Sequence, residues 1–156
     1  MFVPVAMAVI VGALFVAGPV RAARVHSFWA TYSGTGSGHA SGKTASGSAS
    51  LRGTGRPIGK GTLSGSASGT FTSSTCVVFD GRARLTGRRG FLRLAVHRAQ
   101  ACASGSGGNH VSFSGTARVV GATGAFARAR GTLSFHGTYA RATGAVTVSF
   151  RGRLKY

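Results

Sequence analysis

From about residue 60 onward, apolar and polar side chains alternate with a period of two. Val111, Phe113, Gly115, Ala117 and Val119 interleave with Ser112, Ser114, Thr116 and Arg118, a spacing that sends one set to each face of a β-strand. Leu133, Phe135 and Tyr139 oppose Thr132, Ser134, His136 and Thr138, and Val146, Val148, Phe150, Leu154 and Tyr156 oppose Thr147, Ser149, Arg151, Arg153 and Lys155. Upstream, Thr75 to Asp80 reads as a strand. Arg82 to Thr86 and Phe91 to His97 read as a hairpin across Gly87-Arg88-Arg89-Gly90, with Leu92, Leu94 and Val96 on one face. Near the start, Phe28-Trp29-Ala30-Thr31-Tyr32 is a short aromatic segment of strand character.

Between Ser33 and Gly69 the composition shifts to Gly, Ser, Thr and Ala, with Leu51, Ile58 and Leu63 as the larger apolar residues. Two readings compete. Such composition is that of a flexible linker, yet Ser64-Gly65-Ser66-Ala67-Ser68 keeps a period of two, which is a sheet signal. Strands are expected from about Lys60, and Ser33 to Ser50 stays open between the two. No stretch of the chain after its first residues places apolar side chains at helical spacing with caps, and glycine recurs too often for a long helix. The expectation is a single, nearly all-β domain, either a sandwich or an up-and-down barrel. Closure into a barrel is favoured because it removes sheet edges.

The first residues are different. Phe2 to Pro19 is apolar or small throughout, and Val20-Arg21-Ala22 places small residues at the minus-three and minus-one positions of an export signal. Residues 1–22 are therefore read as a leader cleaved after Ala22, 23–59 as a Gly/Ser-rich N-terminal segment, partly strand or flexible, and 60–156 as the barrel core. An uncleaved anchor is the rival. The two cysteines, Cys76 and Cys102, form an even count in an exported chain and are expected to make one bridge. The localisation expected is secreted or bound to the cell envelope.

The segment Val119-Val120-Gly121-Ala122-Thr123-Gly124-Ala125-Phe126-Ala127-Arg128-Ala129-Arg130-Gly131 resembles the closing signature of plant dirigent proteins, Val-Val-Gly-Gly-Thr-Gly, a variable residue, Phe, then Ala-Arg-Gly. Ala122 stands where that family has glycine. The alternating run to Tyr156 is similar to the same family's last hairpin. The resemblance implies an eight-stranded antiparallel β-barrel of the dirigent and allene oxide cyclase type, and a small apolar ligand inside it. Within the motif, Gly121 and Gly124 are expected to permit positive φ at a tight connection, Phe126 to bury, and Gly131 to belong to the same structural signature.

Charge sets the candidate chemistry. Lys and Arg number 19 against a single acid, for a net charge of +18. With no Glu, and with Asp80 alone, paired-carboxylate catalysis is excluded, and Asp80 itself reads as a turn residue. His26, His39, His97, His110 and His136 are scattered, no Gly-x-Ser-x-Gly elbow precedes both an acid and a histidine, and neither a metal nor a cofactor is expected. The arginines lack internal partners, so their counter-ions come from outside. Arg88, Arg89, Arg93, Arg118, Arg151, Arg153 and Lys155 are the candidate anion-binding residues, for a phosphate or carboxylate polymer or an anionic surface. Sequence-specific nucleic-acid reading is not expected, because no motif for it is present. The first expectation is thus non-catalytic binding of an anionic polymer or surface. The alternatives are a dirigent-like or cyclase-like barrel around an apolar molecule, and a structural envelope protein.

Overall fold

The computed structural model describes residues 22–156. The expected leader, residues 1–22, lies almost wholly outside them. Eight strands follow one another: β1 (Val25–Ser41), β2 (Thr44–Arg56), β3 (Gly59–Phe71), β4 (Cys76–Gly87), β5 (Gly90–Ser104), β6 (His110–Ala122), β7 (Arg130–Ala140) and β8 (Ala145–Lys155). Each pairs antiparallel with the next, and β8 returns to β1 from Val25 opposite Lys155 to Thr35 opposite Ala145. The result is a closed up-and-down barrel. Every strand finds both partners within residues 25–155, so the barrel closes among the described residues.

The barrel begins at Val25 and not near residue 60. The Gly/Ser-rich stretch supplies the end of β1 and the start of β2 as full members of the sheet, with Gly34 opposite Leu51 and Ser37 opposite Ser48. Weak intrinsic propensity is overridden here because β1 and β2 each have a partner on both sides. Glycine is also required by close approach: a Cβ on Gly34 would lie 2.6 Å from the Ser50 carbonyl oxygen.

Strand polarity divides the barrel into two ends. At one end lie the start of β1, the turns β2–β3 and β4–β5, the β6–β7 connection and the C-terminus. Here Leu85, Leu92, Leu133 and Leu154 are fully buried, and the end is plugged by Ile58 from the β2–β3 turn and Phe126 from the β6–β7 connection. Each such side chain taken from water contributes roughly 1.5–3 kcal/mol. The plug is tied down by the Ala125 N–H, which donates to the Arg89 carbonyl at 2.8 Å, and by Phe126 packing edge-on against Tyr156 at 5.7 Å. At the other end lie the turns β1–β2 and β7–β8 and the connections β3–β4 and β5–β6. That end is open.

Gly124 and Gly131 have positive φ, 62° and 150°, whereas Gly121 does not. Gly121 sits in β6 beneath the Arg93 guanidinium, where a Cβ would come 2.7 Å from Nε. It does not turn the chain, and the nearest atoms a Cβ there would meet are the mobile end of the Arg93 side chain.

Candidate functional site

The open half of the barrel encloses a cavity of about 630 Å³. Its shape follows from which strand supplies which residue. β1, β2 and β3 turn Gly36, Gly38, Gly47, Ala49, Gly65 and Ala67 inward, so their wall is almost without side chains. The opposite wall carries Phe113, Phe135 and Phe150, which stack along it at centroid distances of 6.4 and 5.9 Å. Leu51, Leu63 and Leu94 form the floor. At the mouth stand His39, Tyr139 and Arg141, and beside it the Cys76–Cys102 disulfide joins the open ends of β4 and β5.

Below the floor, Tyr32 is fully buried with its ring edge-on to Phe150 at 6.5 Å. Its hydroxyl has no hydrogen-bond partner. Burial pushes its pKa up to about 12, so the group stays protonated at any physiological pH.

Asp80 is part of a β-bulge and not of a turn. The pairing of β4 with β5 shifts register between Phe79 and Gly81, which leaves Arg98 in the left-handed region at φ 52°. The Asp80 carboxylate holds that irregularity. It accepts a hydrogen bond from the Arg98 backbone N–H at 2.7 Å and lies 2.9 Å from His97 Nδ1. The Arg98 N–H, and then the nearby His97, hold its pKa below the usual carboxylate value. Among the described residues no arginine or lysine side chain pairs with a carboxylate.

The candidate anion-binding residues are all exposed, and the fold sorts them into two groups. Arg151, Arg153 and Lys155 form one column on the outside of β8, with Arg118 reached across Thr132 of β7. Arg88 and Arg89 form the tip of the β4–β5 turn, and Arg93 lies opposite Arg84, whose guanidinium rests 3.9 Å over the Phe91 ring. Both groups belong to the closed half. Indeed, among the described basic residues only Lys43, Arg82, Arg98 and Arg141 lie toward the open end. On β1 and β2 the outer face of the open half carries hydroxyls instead, with Thr35, Ser37, Ser46, Ser48 and Ser50 side by side, while His97, His110 and His136 stand exposed on β5, β6 and β7.

Sequence reasoning missed Arg56, Arg130 and Trp29 as neighbours of the β8 column, because cross-strand register is not visible in one strand. It also missed the cavity wall, whose signal was the run of glycine and alanine on alternate positions of β1 to β3. Among the described residues no three of His, Cys, Asp or Glu come together to hold a metal. The chain matches no family model, no curated protein and no solved structure.

Proposed function

We propose that the protein is a non-catalytic binding protein whose open half takes up one apolar small molecule. The observation that carries this reading is the cavity of about 630 Å³ between a glycine and alanine wall and an aromatic one. Ligand sites are concave, mostly apolar and typically of this size. The reading moves ahead of anion binding because the feature that would have excluded it, an interior filled by Phe113, Phe135 and Phe150, is not what the packing gives. It agrees with the role that the dirigent-like segment Val119 to Gly131 implies. The Cys76–Cys102 bridge fits an oxidising compartment, and together with the apolar leader it supports secretion or residence in the envelope.

The test is titration with N-phenyl-1-naphthylamine, a neutral apolar fluorophore. The protein is expected to bind it with enhanced emission. Ala67→Phe, which grows a ring from the β3 wall into the cavity, is expected to lower affinity at least tenfold with an unchanged circular dichroism spectrum. No binding by either form would refute the reading.

The second reading is binding of an anionic polymer or surface through the closed half, supported by arginines without internal carboxylates. Salt-dependent retention on an anionic resin is its expected behaviour. A protein that takes up neither probe nor anion would be left with a structural role in the envelope.

A further inference from the structure

We infer that the outer face of β7, β8, β1 and β2 at the closed end is a docking surface for an anionic phospholipid layer; this rests on the second reading, that the arginines meet external anions. Register brings the relevant side chains into rows. Trp29 lies between Arg56 on β2 and Arg151 on β8. One row lower, Ser27 is flanked by Arg153, and at the rim Val25 is flanked by Lys155 and then Arg130. Strands about 4.8 Å apart make this a patch roughly 15 Å wide.

Charge alone would fit any polyanion. The apolar residues decide for a lipid surface. Val25, Trp29 and Val120 are the exposed large hydrophobics among the described residues, at 62, 44 and 57%, and all three lie in the closed half; Val120 stands two residues from Arg118 on the same face of β6. Trp29 alone could stack a nucleic-acid base, but a soluble polyanion gains nothing from Val25 and Val120 beside the same cations. A headgroup layer takes both, phosphates to the guanidinium groups and the Trp and Val side chains to the acyl boundary. The open half has fewer cations, Lys43, Arg82, Arg98 and Arg141, and none of the exposed large hydrophobics. Docked this way, the cavity mouth faces away from the membrane.

Trp29 is the single tryptophan and reports directly. The polypeptide from Ala23, which carries the whole barrel, is titrated with vesicles of phosphatidylcholine alone and of phosphatidylcholine with phosphatidylglycerol. A blue shift of Trp29 emission, quenched by brominated acyl chains, is expected with the anionic vesicles alone. Arg56→Ser with Arg151→Ser is expected to weaken association about 30-fold, whereas Lys43→Ser with Arg98→Ser, an equal loss of charge at the open end, changes it less than threefold. Equal losses from both pairs, or association with both vesicle types without a blue shift, would overturn the assignment. Retention on polyphosphate without vesicle binding would remove the lipid surface and leave the anion reading standing. Absence of both would remove the two together.

Discussion

At the closed end of the barrel, Leu85, Leu92, Leu133 and Leu154 fill the interior and most of the protein's arginines cover the outside; at the open end, Gly38, Gly47 and Ala67 leave the interior hollow, and serine, threonine and histidine outnumber arginine on the outside. The same eight strands build both ends. What differs is side-chain volume inward and charge outward, changed together at mid-strand. The comparison teaches a division of labour: the closed half supplies stability and an anion-seeking surface, and the open half gives up core packing for a cavity. A domain of this size tolerates that only if its stabilising contacts are concentrated elsewhere.

Removing the disulfide should produce the largest effect and show which half depends on it. Cys76→Ser with Cys102→Ser is expected to cost about 3–4 kcal/mol in urea unfolding, with hydrogen exchange accelerated at the open ends of β4 and β5 and little changed at Leu92. Uniform acceleration would mean that the halves are not separable. Next, Leu133→Ala in the closed half is expected to cost about 3 kcal/mol, and Phe113→Ala less than that despite removing a larger group. Phe113 already borders empty space, so its truncation creates no new enclosed cavity. Equal or reversed costs would break the comparison.

Tyr32→Phe sharpens it from the boundary between the halves. Deleting a buried hydroxyl that bonds to nothing is expected to raise stability by about 1 kcal/mol. A loss of stability would show that the hydroxyl has a partner. The smallest effect concerns pH. Asp80 has its folded pKa lowered from 3.8, so its contribution is present above that value and is lost as pH falls through the folded one. Because it is the only acidic side chain and is largely exposed, the melting temperature is expected to fall only slightly toward pH 2, and the fall to vanish in Asp80→Asn. Acid unfolding above pH 3 would contradict this.

The alternation of Val111 to Val119, Leu133 to Tyr139 and Val146 to Leu154 was sufficient to read β6, β7 and β8, and the pair Cys76 and Cys102 sufficed for the bridge. Within the Gly/Ser-rich stretch the strand from about Lys60 was legible from its period of two. Ser33 to Ser50 stayed open between strand and linker, because tiny residues alternate only weakly and the partners on both sides that decide for a sheet are distant in sequence. The two halves were illegible for a related reason. An antiparallel chain crosses the boundary eight times, so Arg56 and Arg151, far apart in sequence, flank one tryptophan, and Ser37, Ser48 and Ser66 form one row. Phe126 did bury as its position implied. Gly121 did not turn the chain: it lies within β6 without a positive φ.

The most direct test is a ¹H–¹⁵N correlation spectrum recorded while N-phenyl-1-naphthylamine is added. The account predicts shifts at Gly36, Gly38, Ala49, Ala67, Phe113 and Tyr139, with Leu85, Leu92 and Leu154 unmoved. Shifts centred on the closed half, or spread evenly over both, would contradict it.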